Sequence, residues 1–277
     1  MACISVPSTC MEGLEIGCLK KDRFRGSQKL QKLAQQLQVL TPTPSVDMEL
    51  EQLDDNIGSK LEIMESVAVE NDEFFLVNSR KRRAAVLICL FEGNENELRV
   101  ILTKRSMKLS SHPGAGDVAL PGGKMEEGDV DDSATALREA TEEIGLDPHL
   151  VQVVAKLDPF ISQHQLKVVP VVGLLARIDD FKAILNTDEV ATVFDVPLEM
   201  FLKEESHRWE EKEWMGWKYI LHLFDFESEK GVFLIWGLTA SILIQAASVI
   251  YQQSPCFKNH LPDFQQLQKA LKTNNIA

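Results

Sequence analysis

The stretch LREATEEIG at residues 137–145 places three glutamates and an arginine within nine positions. Apolar residues recur at every fourth position through it, the spacing of an amphipathic helix: Ala136, Ala140 and Ile144. The glutamates fall at i, i+3 and i+4 on another flank, so their carboxylates are expected to converge: Glu139, Glu142 and Glu143. Gly145 stands where a left-handed cap is usual, and Leu146 can fold back on the helix. The sequence predicts a helix from near Ser133 to Gly145.

The concentration of negative charge needs a physical reason. Like charges one turn apart destabilise an isolated helix by about 0.2–0.5 kcal/mol per pair, and carboxylates near a helix C-terminus oppose its dipole. A solvated acidic face would explain the pattern when it is taken alone. The preceding LPGGKMEEGD at 120–129 is rich in glycine, so its backbone can approach a metal or phosphate closely. Mg²⁺ and Mn²⁺ take carboxylate oxygens together with water and phosphate, and this context favours such a cation.

Together, the loop and the helix, GGKMEEGDVDDSATALREATEEIGL at 122–146, resemble the Nudix box, written G-x5-E-x7-R-E-U-x-E-E-x-G-U with U apolar. Every position from Arg138 onward fits the box. Counting from Gly123, Asp129 replaces the first glutamate, and eight residues instead of seven separate it from Arg138. An extra residue at this point is usual in the branch of the family that acts on coenzyme A.

A second stretch, LTKRSMKLSSHPGAGDVALPGGK at 102–124, is similar to the coenzyme A diphosphatase signature LLTKRS..L..H.G.V..PGG. About two extra residues within 114–116 lengthen the approach to Pro121. The resemblance implies hydrolysis of the diphosphate in coenzyme A or a short acyl-CoA, which gives 3′,5′-adenosine bisphosphate and a phosphopantetheine. Two alternatives stay open: hydrolysis of ADP-ribose, NADH or another nucleotide derivative, and nucleotide binding without hydrolysis.

The resemblance also implies roles for individual residues. It assigns Mg²⁺ or Mn²⁺ to the side chains of three glutamates and to the backbone of one glycine: Glu139, Glu142, Glu143 and Gly123. The first candidate for the general base is Glu143, and the second is Glu189. Arg138 is expected to orient a glutamate by ion pairing. Substrate contacts are expected from Lys104, Arg105, Ser106 and His112. The alternative for the two basic residues is ordinary charge at a strand end, and for His112 a turn.

The remaining patterns predict one α/β (α+β) domain at 81–252, a Nudix-type α/β/α sandwich with a mixed sheet. Runs rich in valine and leucine predict strands: a hairpin of AAVLICLF and ELRVILTKR around EGNEN, then 151–162, 166–176, 218–226 and 230–237. VPLEMFL predicts a short helix, and 241–252 a closing helix. The extension at 1–80 contains one amphipathic helix with Ser27 as its cap, and residues 253–277 form a polar tail.

Composition restricts the partners. A net charge of −13 argues against DNA, RNA or anionic lipid as a partner, since these require a basic surface. The five cysteines are scattered without a CxxC pair, which indicates neither disulfides nor a zinc site. The uncharged run at 231–250 is interpreted as a buried strand and core helix rather than a membrane span. We expect a cytoplasmic protein, with the mitochondrion as the alternative, and a homodimer is compatible with the sequence.

Overall fold

The computed structural model describes residues 26–38, 83–109, 114, 116–162, 166–214 and 217–258. In chain order the elements are α1 (Gln28–Gln38), β1 (Arg83–Glu92), β2 (Leu98–Arg105), β3 (Val118–Ala119), β4 (Gly122–Lys124), α2 (Asp132–Ile144), β5 (Val151–Lys156), β6 (Phe160–Ile161), β7 (Lys167–Leu175), β8 (Val190–Pro197), β9 (His207–Trp214), β10 (Trp217–Ser228), β11 (Gly231–Trp236) and α3 (Gly237–Tyr251). Short 3-10 turns lie at Met107–Leu109, Pro148–Leu150, Ile178–Asp180 and Leu198–Leu202.

The larger sheet has the order β3-β2-β1-β7-β5, with β4 beside β1, β6 beside β7 and β8 beside β2. β1 and β7 run parallel, whereas the other pairs in this sheet are antiparallel. β1 pairs with β4 near its start and with β2 near its end. The glycine-rich loop therefore becomes part of the sheet, and the predicted mixed sheet is confirmed.

Both faces of β1 are buried, which explains its nearly continuous apolar sequence. Alternate residues belong to two different cores. Ala85, Leu87 and Cys89 pack with the apolar stripe of α2, while Ile88 and Leu90 pack with α1, α3 and the smaller sheet. Helices thus cover the mixed sheet on both faces, as predicted for an α/β/α sandwich.

The smaller sheet has the antiparallel order β11-β10-β9. Phe194 of β8 and Phe233 of β11 stack with ring centroids 3.8 Å apart, which joins the two sheets. The sequence analysis predicted β10 and β11 and missed β8 and β9. HRWEEKEW in β9 is mostly charged because that strand pairs with one neighbour, so its pattern lacks a buried apolar face.

The predicted helices at the two ends of the described chain are present. In α1 the Ser27 hydroxyl accepts a hydrogen bond from the Leu30 N–H at 3.2 Å, which confirms the cap. Leu30, Leu33 and Leu37 are buried, whereas Leu40 and most of the remaining extension lie outside the described residues. The run at 231–250 forms β11 and most of α3, as predicted. Within the described parts of the chain, no helix is long and apolar enough to cross a membrane.

The segment interpreted as a polar tail begins with residues that contact the domain. The Cys256 N–H donates to the Leu202 carbonyl at 2.9 Å. The Phe257 ring stacks on His207 with a centroid distance of 3.7 Å. These contacts attach the chain to β9 as far as Phe257, and residues 259–277 lie outside the described part.

Candidate functional site

The start of α2 is fixed by acidic residues. Asp131 caps the helix, and its side chain accepts a hydrogen bond from the Ala134 N–H at 2.9 Å. Asp132 accepts two hydrogen bonds from the Arg83 guanidinium, at 2.6 and 2.9 Å. The helix thus begins at Asp132, slightly ahead of the predicted Ser133, because this ion pair holds its first turn against β1.

The end of α2 follows the prediction. Gly145 has a φ of 69° and donates its N–H to the Thr141 carbonyl at 2.9 Å. A glycine suits this left-handed position because it has no Cβ. The Leu146 N–H reaches the Ala140 carbonyl at 3.3 Å, and the Leu146 side chain is buried in the core under the helix. The predicted cap and its hydrophobic partner are confirmed.

Arg138 joins the loop to the helix. Its Nε and Nη2 donate to the two carboxylate oxygens of Asp129, each at 3.0 Å, and Nη2 also reaches the Lys124 carbonyl at 2.9 Å. Its Nη1 lies 3.0 Å from Glu142 Oε2, and its Nη2 lies 3.1 Å from Glu139 Oε1. A planar guanidinium can hold this many acceptors at once, whereas an ammonium group would not.

Asp129 is almost fully used by protein partners. It also accepts hydrogen bonds from the Thr135 hydroxyl and the Glu126 N–H, both at 2.9 Å. The hydrogen bond from Arg138 is the main reason that the pKa of Asp129 falls to about 2. We call Asp129, Arg138 and Glu142 the neutralised cluster, because the guanidinium forms ion pairs with both carboxylates and offsets part of their charge.

Glu143 lies in a different environment. Its side chain is 4% exposed, and burial raises its pKa to about 7. Oε2 accepts a hydrogen bond from the Gly122 N–H at 3.3 Å, and the positive charge of Arg105 lowers the pKa in part. Gly122 has a φ of +153°, and a Cβ there would lie 2.4 Å from the Ala85 carbonyl. Only glycine therefore brings this N–H to Glu143.

Glu139 contacts the same loop one residue later. A Cβ at Gly123 would lie 2.5 Å from Glu139 Oε1, so the carboxylate fills the space beside this glycine. Burial raises the pKa of Glu139 despite the nearby Arg138, and the charges of Glu142 and Glu189 add to the effect. The Glu139 side chain is 15% exposed, so the charged form of the carboxylate is disfavoured in a place with little access to water.

A loop at 184–190 brings Glu189 to this place. The Ile184 and Asn186 N–H groups donate to the last carbonyls of α2, those of Ile144 at 2.9 Å and Glu143 at 3.0 Å. The Glu189 carbonyl accepts from the Ser106 N–H at 2.7 Å. The charge of Glu189 raises the pKa of both Glu139 and Glu143. We call Glu139, Glu143 and Glu189 the acidic cluster.

The residues expected to contact substrate separate in space. Arg105 lies close enough to Glu143 to lower its pKa. Lys104 is the next residue of β2, and it pairs with Val118, whose side chain belongs to the core on the other face of the sheet. Arg105 pairs with Val190 of β8, which belongs to the core under α2, so Lys104 and Arg105 point to opposite faces of the sheet. Ser106 is buried, and its hydroxyl accepts from the Lys108 N–H at 3.3 Å. His112 lies outside the described residues.

The site suits a divalent cation in its chemistry, although the ligands are not gathered in advance. Within the described residues, no three acidic, histidine or cysteine side chains are grouped closely enough to hold a metal ion. The expected convergence is absent because Arg138 draws Glu142 and Glu139 while the Gly122 N–H draws Glu143. The residues nevertheless fit a hard cation, since the Glu139 carboxylate lies beside Gly123 and the Glu143 carboxylate accepts a hydrogen bond from the adjacent Gly122 N–H.

Sequence reasoning missed two features of the site. Asn186 contacts both Glu143 and Glu189, and Arg83 holds the first turn of α2 through Asp132. Neither contact has a signal in the local sequence, because the partners lie 43 and 49 positions apart for Asn186–Glu143 and Arg83–Asp132. Polar residues in NTDE predict a turn and nothing more specific.

Comparisons with known proteins point to one family. A family model described as the NUDIX domain matches residues 81–229. Nudix hydrolase 15, mitochondrial, of Arabidopsis thaliana is 59% identical over 185 residues, which cover 67% of this chain and 64% of the relative. Nudix hydrolase 22, chloroplastic, of the same plant is 51% identical over 86% of this chain and 78% of the relative.

A third relative comes from an animal. The peroxisomal coenzyme A diphosphatase NUDT7 of Mus musculus is 43% identical over 164 residues, which cover 58% of this chain and 68% of the relative. The NUDIX match extends from the start of β1 into the smaller sheet and includes the loop, α2 and Glu189. The chain belongs to the Nudix hydrolase family.

Proposed function

We propose that the protein hydrolyses the diphosphate linkage of coenzyme A or a short acyl-CoA with the help of Mg²⁺ or Mn²⁺. The observation that carries the hydrolytic part is the acidic cluster at the glycine-rich loop, where the Glu143 carboxylate accepts a hydrogen bond from the Gly122 N–H at 3.3 Å and the Glu139 carboxylate fills the space beside Gly123. Burial raises the pKa of both carboxyl groups. The stretch at 102–124 and the name of the mouse relative support the choice of substrate. The products would be 3′,5′-adenosine bisphosphate and a phosphopantetheine.

The proposed metal ligands are the carboxylates of Glu139, Glu142 and Glu143 and the backbone of Gly123. A bound divalent cation lowers the pKa of a water molecule and stabilises charge on phosphoryl oxygens. The chain itself supplies orientation. The rigid α2 holds the glutamates, and Arg138 fixes Glu139 and Glu142 through ion pairs of 3.1 and 3.0 Å.

Proton removal from the attacking water is proposed for Glu143 in the first place. Its pKa of about 7 would let it accept a proton near neutral pH. Glu189 is the second candidate, since its charge raises the pKa of Glu143 and its carboxylate is held at the edge of the site.

The substrate phosphates would be bound by basic and polar groups at the end of β2 and in the loop after it. Arg105 is the strongest candidate, because its charge reaches Glu143 and a guanidinium can bind a phosphate with two hydrogen bonds. Ser106, Lys104 and His112 complete the proposed set. Lys104 would serve a part of the substrate that extends to the other face of the sheet.

A parallel incubation tests the assignment. Coenzyme A, ADP-ribose and NADH are each supplied with and without Mn²⁺, and the products are identified by mass. We expect phosphopantetheine and 3′,5′-adenosine bisphosphate from coenzyme A, in the presence of Mn²⁺ only. Glu142→Gln should remove most turnover, whereas Glu127→Gln, an exposed glutamate of the preceding loop, should not. Full activity of Glu142→Gln would contradict the metal assignment.

The two alternatives give different results in the same incubation. Faster cleavage of ADP-ribose or NADH would keep the chemistry and replace the substrate. A module that binds nucleotides without hydrolysis would leave all three compounds intact and still bind one of them. The presence of every glutamate from Arg138 onward in the box disfavours that alternative.

We also propose the wider setting. The catalytic domain occupies 81–252, with an extension at 1–80 and a tail at 253–277, and a homodimer is compatible with it. The names of the three relatives above include the terms mitochondrial, chloroplastic and peroxisomal. These names support the mitochondrial alternative over the cytoplasm, and microscopy of the full chain fused at its C-terminus to a fluorescent protein tests it.

A further inference from the structure

Asn186 bridges the two parts of the acidic cluster. Its backbone N–H donates to the Glu143 carbonyl at 3.0 Å, and its side-chain Nδ2 donates to Glu189 Oε1 at 3.1 Å. One residue therefore binds the end of α2 with its main chain and the Glu189 carboxylate with its side chain.

The same residue also shapes the loop. Asn186 Oδ1 accepts from the Asp188 N–H at 3.2 Å, and the Asn186 carbonyl accepts from the N–H groups of Glu189 at 3.0 Å and Val190 at 2.8 Å. A side-chain amide carries both a donor and an acceptor, so asparagine can close this turn and hold a carboxylate simultaneously. An aspartate could accept the hydrogen bond from the Asp188 N–H, but it could not donate one to the Glu189 carboxylate.

The hydrogen bond from the Asn186 amide opposes the electrostatic repulsion within the acidic cluster. The charge of Glu189 raises the pKa of Glu139 and of Glu143, which means that the three carboxylates repel one another. A glutamate side chain has several rotamers and would relieve this repulsion by turning toward water. The hydrogen bond from Asn186 fixes Oε1 of Glu189 and so restrains the carboxylate.

We propose that Asn186 is a positioning residue that holds the Glu189 carboxylate against Glu139 and Glu143. This inference rests on the proposed function for its catalytic consequence. It predicts that Asn186 acts through the carboxylate of residue 189, so its contribution disappears when that carboxylate is absent.

A double-mutant cycle tests this dependence. Asn186→Ala, Glu189→Gln and the double variant are compared with the wild-type chain in kcat and KM for coenzyme A with Mn²⁺. We expect Asn186→Ala to lower kcat about tenfold with KM changed less than about twofold, and the double variant to match Glu189→Gln. If Asn186 served only the shape of the loop, the double variant would fall about tenfold below Glu189→Gln. That result, or a wild-type kcat for Asn186→Ala, would overturn the inference.

A second readout does not need the substrate. Mn²⁺ affinity of the four proteins is measured without coenzyme A, from the loss of the free-ion paramagnetic resonance signal. Because the charge of Glu189 acts on Glu139 and Glu143, two of the proposed Mn²⁺ ligands, we expect Glu189→Gln to weaken Mn²⁺ binding and the cycle to show the same non-additivity. Additive or absent effects overturn the inference. If coenzyme A is not cleaved by the wild-type chain, the proposed substrate fails and the Mn²⁺ cycle alone decides the role of Asn186.

Two further variants separate the contact from the loop. Asn186→Asp keeps an acceptor for the Asp188 N–H and removes the donor to Glu189, so we expect its kcat to fall as well. A role limited to the turn would leave this variant at the wild-type kcat. Asp188→Asn is the matched control, because Asp188 is exposed in the same loop and pairs only with the exposed Lys108 among the ion pairs described. Its kcat should change less than about twofold, and an equal loss would overturn the inference.

Discussion

The neutralised cluster and the acidic cluster both include glutamates of α2, and they hold their carboxylates in different environments. In the first, Arg138 binds Asp129 and Glu142, and the pKa of Asp129 falls to about 2. In the second, burial and mutual repulsion raise the pKa of Glu143 to about 7. The difference teaches that direct hydrogen bonds from Arg138 favour the charged form of Asp129, whereas burial disfavours the charged form of Glu143 in the absence of a cation.

The largest expected effect comes from the acidic cluster. Glu143→Gln keeps an oxygen for the Gly122 N–H and removes the charge, so we expect kcat to fall about 1000-fold or more. The free energy of unfolding should not fall, because the substitution removes a buried carboxylate that forms no ion pair among the described residues. Steady-state kinetics with coenzyme A and urea unfolding measure the two quantities. A variant that loses activity by unfolding would break the comparison, and Glu127→Gln is the exposed control.

Asp129→Asn should lose much stability and little activity, the reverse of Glu143→Gln. It removes the negative charge and one of the two acceptor oxygens that Arg138 binds at 3.0 Å each, on a side chain that is 7% exposed. We expect the free energy of unfolding to fall by about 3 kcal/mol, with a loss of kcat much smaller than that of Glu143→Gln. Urea unfolding at neutral pH checks the first expectation. An Asp129→Asn protein as stable as the wild type and as inactive as Glu143→Gln would move Asp129 into the acidic cluster.

The pH dependence of stability separates the two clusters further. The pKa of Glu143 rises from 4.5 to about 7 on folding, so the folded chain keeps a proton that the unfolded chain releases. The free energy of unfolding should therefore decrease as pH rises from 4.5 to 7, by about 2 kcal/mol from this residue. Glu143→Gln lacks this contribution. Urea unfolding of both metal-free proteins across this range should give different slopes, and equal slopes would contradict the assignment.

The local sequence pattern was sufficient to predict the body of α2. The spacing of Ala136, Ala140 and Ile144 and the glycine at 145 depend on neighbours within two turns, and the structure agrees with both. The first residue of the helix was harder to predict, since Asp131, Asp132 and Ser133 can all cap. The ion pair of Asp132 with Arg83, 49 positions away, holds the first turn. Capping preference alone cannot decide between adjacent candidates when a distant partner selects one.

The directions of the carboxylates also could not be predicted from the local sequence. Helical spacing places Glu139, Glu142 and Glu143 on one flank, and the sequence suggested that they converge. Their directions are set by Arg138, which binds the first two, and by the Gly122 N–H, which binds the third. The contact of Asn186 with Glu189 depends on a loop that reaches α2 through backbone hydrogen bonds. Spacing along a helix predicts which residues share a side, whereas partners outside the helix decide where the charges point.

The smallest expected effect tests the boundary between the two clusters at Glu139, which contacts Arg138 and still has a raised pKa. Gly123→Ala would place a methyl group 2.5 Å from Oε1, and the flexible end of the glutamate would move in response. We expect kcat to fall about tenfold, which corresponds to about 1.4 kcal/mol, with a smaller change in the free energy of unfolding.

The same substitution in a Glu139→Ala background identifies the cause. The added methyl group then has no carboxylate to displace, so Gly123→Ala should produce no further loss of kcat in that background. Steady-state kinetics of the two single variants and the double variant provide the comparison. A tenfold loss in both backgrounds would mean that Gly123 is needed for the path of β4 instead of the position of Glu139. Glu139 belongs with the acidic cluster if its displacement alone accounts for the loss.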